Sequence, residues 1–258
     1  MPDNVNHSPK LTWGEDPDLF GPKDWFRNSL LIRKVRKYVK SGSILDYGCG
    51  SGICITRLLK YDYRLLGIDV TEENVRYLQR RFRGNNCVKI HRGDETLLRH
   101  MRQPVSAIIC GETLEHIEDD AALVQLFRDN LLPDGYVFLS VPAHQSRWSE
   151  IDVFAGHFRR YEKDVLRSLF SSNGFTVEEL FYYGFPLGTL WDATIADPIM
   201  RRKMESGVVY TGTRSWLGTI LRFTAIKKIM ALMFYIDTVL FPDNPRGTGL
   251  ILVAKRAA

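Results

Sequence analysis

Short apolar runs alternate with amphipathic stretches along most of the chain. Five of these runs are mainly hydrophobic, and several end at turn residues such as Gly48 and Gly111. Continuous hydrophobicity is typical of strands that are buried on both faces of a sheet. The pattern therefore predicts buried strands at Ser43–Tyr47, Arg64–Val70, Val88–His91, Val105–Cys110 and Tyr136–Val141.

Helical patterns separate these strands. They predict helices at Ile53–Lys60, Glu72–Phe82, Glu95–Arg102 and Ala121–Leu131. Regular alternation of strands and helices indicates parallel pairing, with helices packed on both faces of the sheet. Right-handed crossovers then make the sheet doubly wound. The sequence predicts an α/β fold with a mostly parallel sheet.

Two further strands and a long insertion complete the pattern. A helix at Glu162–Ser172 leads to a strand at Phe175–Tyr183, and a final strand is predicted at Gly249–Ala254, which gives seven strands. The segment between the last two strands, residues 184–246, far exceeds an ordinary connection, and such insertions often form a lid or a substrate wall. Its helical patterns lie at Asp197–Met204 and Trp216–Leu240.

These elements predict four parts of the chain. Residues 1–40 form an irregular lead-in and a helix at Trp25–Val39, and residues 41–183 form the core. The helical insertion occupies residues 184–246, and residues 247–258 return to the core as the last strand. The chain is thus expected to fold as one α/β unit with an insertion.

Composition limits the classes of protein that fit. The 258 residues are 45% hydrophobic and 25% charged, as in ordinary globular proteins. The four cysteines show neither a CxxC pair nor zinc-ligand spacing, so we expect free thiols and no metal site. The N-terminus lacks the pattern of a signal peptide, and four charges within 216–241 argue against a membrane span. We expect a soluble, cytoplasmic protein.

The net charge of +5 leaves several partners open. Basic residues cluster in Arg27–Lys40 and Arg76–Arg92, which is most simply explained by solvated helix faces. Attraction to an anionic substrate, a membrane surface or a nucleic acid is the alternative, but no RNA-binding or zinc-finger signature favours nucleic acid. The stretch 216–241 mixes apolar and cationic side chains, so it either packs on its own domain or makes peripheral membrane contact. The sequence predicts no oligomeric state.

A glycine-rich turn joins the first strand to the next helix. It reads Asp46-Tyr47-Gly48-Cys49-Gly50-Ser51-Gly52. Glycines let a ligand approach the backbone closely, and the following helix offers unpaired N–H groups. Asp69 ends the second strand, where a carboxylate can accept hydrogen bonds from both ribose hydroxyls of a nucleoside. The two features together predict a nucleoside site at the carboxyl ends of the strands.

The spacing of the glycines decides between nucleoside ligands. A dinucleotide fingerprint needs a third glycine one residue later than Gly52. The segment instead resembles the D-x-G-x-G-x-G motif of class I S-adenosylmethionine-dependent methyltransferases, which have a Rossmann-like fold. The resemblance implies S-adenosyl-L-methionine as cofactor, S-adenosyl-L-homocysteine as product, and a cofactor site made of Asp46, Gly48, Cys49, Gly50, Gly52, Asp69, Val70, Asp94, Glu95 and Glu112.

Later segments extend the resemblance. The segment Cys110–Asp119 (CGETLEHIED) is similar to the fourth-strand motif of the subgroup that includes ubiquinone-biosynthesis O-methyltransferases, and Leu131–Pro142 is similar to the fifth-strand motif. The blocks Trp148–Asp152 and Gly156–Tyr161 resemble segments of many bacterial members. The resemblance implies a small or lipid-like acceptor, with oxygen as the preferred acceptor atom.

Two histidines are the candidate catalytic residues. Methyl transfer depends on alignment of the acceptor atom, and an oxygen acceptor must also lose a proton, which suits His116. His157 belongs to a second group with Trp148, Arg160 and Tyr161, which we expect to line the substrate pocket. A structural role remains open for each, since Arg160 and Tyr161 would serve equally to fix their loop to Asp152.

Three other functions remain as alternatives. An NAD-dependent oxidoreductase fits poorly because of the early third glycine. An RNA methyltransferase agrees with the basic charge, but the fourth strand ends in Cys-Gly-Glu-Thr and not in the Asn/Asp-Pro-Pro-Tyr common among enzymes that methylate amino groups of nucleic acids. A non-catalytic methyltransferase-like binding module would not need the acidic and histidine residues present here.

Overall fold

Seven strands form one sheet in the computed structural model of the chain, which describes residues 22–101, 103–206 and 224–257. Their order is β3-β2-β1-β4-β5-β7-β6. Strands β1 to β5 pair in parallel, and β7 lies antiparallel between β5 and β6. This confirms the predicted mostly parallel, seven-stranded sheet. The strands span Gly42–Tyr47 (β1), Tyr63–Asp69 (β2), Val88–Arg92 (β3), Val105–Gly111 (β4), Leu131–Pro142 (β5), Phe175–Tyr183 (β6) and Gly249–Arg256 (β7).

Helices cover both faces of this sheet. Short 3₁₀ turns at Leu114–His116 and Gln145–Arg147 follow β4 and β5, and a π-helical turn, Asp192–Ala196, links two helices of the insertion. The α-helices are Pro22–Tyr38 (α1), Ile53–Leu58 (α2), Glu72–Arg81 (α3), Glu95–His100 (α4), Asp120–Asp129 (α5), Glu150–Ala155 (α6), Lys163–Ser172 (α7), Leu187–Trp191 (α8), Asp197–Ser206 (α9) and Thr224–Leu240 (α10).

The core consists of two apolar layers, one on each face of the sheet. Successive residues of a strand point to opposite faces, so Leu45 joins one layer while Ile44 joins the other. The same division separates Ile108 from Ile109 in β4. All four side chains are buried. This explains why the strands read as continuous apolar runs in the sequence.

The strand order reverses between β1 and β4. From β1 the chain moves outward through β2 and β3, then crosses back to β4 on the other side of β1. Loops that follow β1 and β4 therefore diverge at the carboxyl ends of these strands and leave a crevice between them, which is where open α/β sheets bind ligands. The glycine-rich turn and the Glu112–His116 segment both lie at this edge.

The predicted boundary between α5 and β5 is wrong. The sequence pattern extended the helix to Leu131, but α5 ends at Asp129, and Leu131 pairs with Val105 as the first residue of β5. Asn130 explains the difference, because its side-chain amide donates to the carbonyl oxygens of Leu126 and Leu98. These bonds end the helix two residues earlier than hydrophobicity indicates.

The described part of the insertion packs against α1. Phe234 of α10 contacts Phe26, with ring centroids 5.8 Å apart. Asp237 is buried and accepts a hydrogen bond from the Leu187 N–H at 2.6 Å, which joins α10 to α8. The predicted helix at Asp197–Met204 is confirmed as α9, while Trp216–Phe223 lie outside the described residues. Within the described ranges, no helix is both long and apolar enough to cross a membrane.

Candidate active site

The glycine-rich turn touches the segment that follows β4. At Gly48, where φ is 71°, a Cβ atom would lie 2.3 Å from the Thr113 hydroxyl oxygen. At Gly50, where φ is 52°, a Cβ atom would meet no atom within 4 Å. The first glycine thus permits a close approach between two loops, and the second leaves open space along its backbone. A ligand that runs along this turn would pass over Gly50.

Asp69 and the glycine-rich turn converge at the carboxyl edge of the sheet. The Gly50 N–H donates to one carboxylate oxygen of Asp69 at 2.7 Å, and the Thr71 N–H donates to the other at 2.8 Å. Asp69 is 7% exposed. The Asn74 amide is a third donor, at the longer distance of 3.4 Å. A carboxylate has about four acceptor positions, so one ribose hydroxyl can use the remaining position and a second can replace the long bond from Asn74. The convergence expected from the sequence is present.

Asp46 lies beneath the same turn and is an unusual acid. Burial, and then the neighbouring charge of Asp69, raises the pKa of Asp46 from 3.8 to about 7. An isolated carboxylate at this depth is costly unless a cation or several donors stabilise it. A ligand with a positively charged amino group would supply that cation.

This pKa predicts that binding of S-adenosyl-L-homocysteine depends on pH. The ligand's ammonium group favours ionised Asp46, so affinity should fall roughly tenfold for each pH unit below about 7. The same shift makes the ligand-free protein lose stability as pH rises from about 4 to 7, because the folded state then retains a proton that the unfolded state releases. Calorimetric titrations across this range test the first expectation. In Asp46→Asn the dependence should disappear, and a pH-independent wild type would contradict the prediction.

The other predicted cofactor residues lie around this crevice with different exposures. Val70 is 50% exposed beside Asp69, which leaves an apolar surface for a flat ring. Asp94 is exposed and caps α4, and a hydrogen bond from the Thr96 N–H lowers its pKa. Gly52 directly precedes α2 and has φ of 73°. The Cys49 side chain is buried, so this residue has only its backbone to offer a ligand.

Glu95 interacts with the hydroxyl group of Tyr47 inside the fold. The Tyr47 hydroxyl is buried, and burial together with the charge of Glu95 raises its pKa. The carboxylate of Glu95 accepts a hydrogen bond from that hydroxyl, so part of its acceptor capacity is already used inside the fold. Of the acids near the third strand, Asp94 is the more exposed.

Glu112 directly follows β4 and has a strained backbone conformation. Its φ is 54°, a region that non-glycine residues seldom adopt and that clusters at functional sites. Its carboxylate lies 3.9 Å from the guanidinium of Arg27, which also forms a 2.9 Å ion pair with Asp24. Burial by itself would lower the pKa of the Arg27 guanidinium. The negative charges of Asp24 and Glu112 outweigh this effect, so the pKa is raised. Helix α1 thereby contributes a permanent cation next to the crevice.

Glu115, His116 and His157 form a compact cluster next to Glu112. The His116 and His157 rings are 4.6 Å apart between centroids, in an edge-to-face arrangement. The Phe158 N–H donates to the Glu115 carbonyl at 2.7 Å, which holds the two segments together. Burial, and then the charge of His157, lowers the pKa of His116 to about 4. Burial and the charge of Glu112 raise the pKa of Glu115.

Asp152 organises the second predicted group. It is buried and accepts hydrogen bonds from His157 Nδ1 at 2.9 Å and from Arg160 Nε at 2.7 Å. Burial alone would raise its pKa, but these two partners lower it to about 2. Arg160 is therefore held in place by Asp152 through its Nε. Trp148 is half-buried just before α6 and stays a candidate wall of the pocket.

Tyr161 does not lie in the pocket that the sequence predicted for it. It is 1% exposed, belongs to the apolar layer around β5, and its hydroxyl donates to Asp120 at 2.9 Å. No surface remains for a substrate. We expected Tyr161 at the site because it follows His157 and Arg160 in the sequence. In the structure its side chain points into the core.

Two surface hollows lie away from this edge of the sheet. One, of about 470 Å³, is lined by residues of α2 and the segment 81–85, and the other, of about 250 Å³, lies at the opposite, amino end of the strands beside Tyr38 and Tyr136. Neither adjoins the glycine-rich turn or the histidines. The converging polar groups at the carboxyl edge therefore identify the site better than the shape of the surface.

Comparisons with known proteins agree with this geometry. A sequence profile for a methyltransferase domain matches residues 24–180. A ubiquinone biosynthesis O-methyltransferase from Leptothrix cholodnii is 29% identical over 100 residues, which cover 38% of this chain and 43% of that protein. A probable S-adenosylmethionine-dependent methyltransferase from Mycolicibacterium smegmatis is 25% identical over 216 residues, or 80% and 82% of the two chains. The chain belongs to the class I S-adenosylmethionine-dependent methyltransferase family.

A solved structure confirms the fold of this methyltransferase. An S-adenosylmethionine-dependent methyltransferase from Mesorhizobium loti superposes with a TM-score of 0.57 at 16% identity, covering 92% of this chain and 100% of that one. Identity this low supports the fold alone. The chain also aligns with less than half the length of the Leptothrix protein. The predicted family and its cofactor are confirmed, while the roles of individual residues stay predictions.

Three residues that lie at the candidate site were not among the site residues predicted from the sequence. Arg27 lies before the core domain, Glu115 was quoted only as part of a motif, and Asp152 was considered only as an anchor for its loop. The available signal was the spacing Glu112-x-x-Glu115-His116, which puts two carboxylates and a histidine within five residues after β4. The expectation of no metal site came from the cysteines and overlooked this cluster, which has a composition suited to an ion.

Proposed function

We propose that this methyltransferase transfers a methyl group to an oxygen atom of a small or lipid-like acceptor. The observation that carries the proposal is the contact between the cofactor turn and the histidine segment. A Cβ atom added at Gly48 would lie 2.3 Å from the Thr113 hydroxyl oxygen, so the two backbones approach closely. His116 follows Thr113 by three residues. The groups that would bind the cofactor and those that would bind the acceptor therefore adjoin one another.

The residues of the crevice fit S-adenosyl-L-methionine. The turn leaves open space at Gly50, a buried acid without a cation lies at Asp46, and Asp69 retains acceptor positions for ribose hydroxyls. When bound, this cofactor supplies an electrophilic methyl carbon on a positively charged sulfur. Asp46 would bind its amino-acid end, Asp69 its ribose, and Val70 with Asp94 its adenine. These contacts would orient the cofactor toward the histidines.

Two features support oxygen as the acceptor atom. The rings of His116 and His157 lie 4.6 Å apart between centroids, and their nitrogens would orient and activate an acceptor hydroxyl bound beside them. Alignment of that hydroxyl with the methyl carbon is the larger part of the expected rate enhancement. The relatives named ubiquinone biosynthesis O-methyltransferase add independent support. Arg160 and Trp148 would contact the remainder of the acceptor.

The outer face of α10 supports a lipid-like acceptor and peripheral contact with a membrane. Phe234 and Asp237 of this helix are buried, whereas the opposite side exposes large apolar residues at helical spacing. Such a face favours an apolar surface or substrate over water. The exposed residues are Ile229, Leu232, Met233, Ile236, Val239 and Leu240.

Incubation with methyl-labelled cofactor and fractionated cell extract tests the proposed function. Label is expected in the lipid fraction as a methyl ether or ester. Leu232→Glu should lower labelling of lipid in vesicles while leaving affinity for S-adenosyl-L-homocysteine unchanged, because residue 232 lies on the outer face of α10. Ser172→Glu, a change of similar charge at the exposed end of α7, is the control. Label in nucleic acid would identify an RNA methyltransferase, and no turnover with intact cofactor binding would identify a binding module.

A further inference from the structure

Glu115 is a buried carboxylate without a partner. It is 0% exposed, and neither of its carboxylate oxygens has a hydrogen-bond partner among the described residues. An unpaired buried charge costs several kcal/mol, so such groups either stay protonated or pair with a cation. The neighbouring cation, Arg27, is already shared between Asp24 and Glu112. An ionised Glu115 therefore has no cation of its own among the described residues.

The two histidines next to Glu115 are oriented as metal ligands usually are. His116 Nδ1 lies 3.3 Å from the Gly156 carbonyl oxygen, and His157 Nδ1 lies 2.9 Å from Asp152 Oδ1. Because a carbonyl oxygen only accepts, Nδ1 of His116 carries the proton and Nε2 keeps a lone pair. A ligand histidine almost always donates its second ring N–H to a carbonyl or carboxylate in this way.

Glu115, His116 and His157 each offer one possible metal-ligand atom, and these three atoms lie within 4.8 Å of one another. Small side-chain shifts would bring three such atoms to about 2.1 Å from a common centre. We propose that Glu115, His116 and His157 bind a divalent metal ion, and that the ion holds the hydroxyl oxygen of the acceptor beside the cofactor. The second half of this proposal rests on the proposed function, whereas the binding of the ion does not.

The ligand set indicates the class of ion. Mg²⁺ prefers oxygen ligands, while two imidazoles and one carboxylate suit Mn²⁺, Fe²⁺, Co²⁺ or Zn²⁺. Three protein ligands leave positions open for oxygen atoms of a substrate. Glu112 and Asp152 also lie near the cluster, but Arg27 and Arg160 pair with them, so Glu115 is the carboxylate left for an ion. An ion here would polarise an acceptor hydroxyl as a Lewis acid.

Equilibrium dialysis of chelator-treated protein against Co²⁺ tests the site. One ion per chain is expected by elemental analysis, together with the visible absorption of Co²⁺ bound by imidazole. Glu115→Gln keeps the shape of the side chain and removes its charge, so it should weaken binding by roughly tenfold or more, as should His157→Gln. Calorimetric titration with Mn²⁺ gives the affinities without any assay of activity.

His100→Gln provides the matched control. His100 also has Nδ1 next to a backbone carbonyl, that of Thr96 at 2.7 Å, but it is exposed on α4. Its replacement should leave ion binding unchanged. Titration with S-adenosyl-L-homocysteine shows for each variant whether the fold and cofactor site are intact. Wild type that binds the cofactor product but no ion at micromolar concentration, or an intact Glu115→Gln that binds Co²⁺ as well as wild type, would overturn the metal site and leave the proposed function standing.

Discussion

Asp69→Ala is expected to reduce affinity for S-adenosyl-L-homocysteine by roughly 100-fold or more. The carboxylate would lose two hydrogen bonds to ribose hydroxyls, each worth about 1.5–3 kcal/mol when the acceptor is charged. The Gly50 N–H would also lose its 2.7 Å acceptor, so the turn that follows β1 would no longer be held in its open form. Isothermal titration with the cofactor product measures both effects together.

Asp62→Ala is the control for this experiment. Asp62 directly precedes β2 and is exposed, at the end of the strand opposite Asp69. The same chemical change at that end should leave affinity unaffected. If Asp69→Ala binds as tightly as Asp62→Ala and both are folded by circular dichroism, the cofactor site has been placed at the wrong edge of the sheet.

The cofactor side of the crevice was predictable because its determinants are local in sequence. Gly48, Gly50 and Gly52 adopt conformations that only glycine enters easily, so their spacing in the sequence reports the shape of the turn. Asp69 ends a strand, and parallel strands place their carboxyl ends at one edge. Fold and cofactor therefore followed from short segments whose geometry depends little on the rest of the chain.

The acceptor side was less predictable because it is assembled from distant segments. Arg27 reaches Glu112 from α1, and Asp152 fixes His157 from the start of α6. No periodicity in the sequence marks such contacts, since each depends on how two elements pack. Tyr161 illustrates the same limit, because a residue adjacent to Arg160 points into the core instead of the pocket.

Helix ends were also poorly defined by hydrophobicity alone. Leu131 continues the apolar pattern of α5, yet side-chain hydrogen bonds from Asn130 end the helix and begin β5. The position of this strand matters for the site, because Ser140 in β5 accepts the hydrogen bond from the Glu112 N–H at 2.9 Å. The unusual backbone of Glu112 is thus fixed by a partner from another strand.

Gly50→Ala is expected to separate ligand binding from folding. A methyl group at this position meets no protein atom within 4 Å, so the cost to the fold is limited to the positive φ, about 1–2 kcal/mol. The same methyl group would occupy space over which the cofactor passes, and a misfit of one carbon costs about 1–3 kcal/mol. Affinity for S-adenosyl-L-homocysteine should therefore fall roughly 10- to 100-fold.

Gly84→Ala supplies the comparison that makes this result interpretable. Gly84 has φ of 80°, and a Cβ atom there also meets nothing within 4 Å, but the residue lies between α3 and β3, away from the carboxyl edge. Chemical denaturation should show similar losses of unfolding free energy in both variants, while titration should show weakened binding in Gly50→Ala alone. Equal affinities in the two variants would mean that the space over Gly50 is not where the cofactor lies, because backbone strain is common to both and only the position of the added methyl differs.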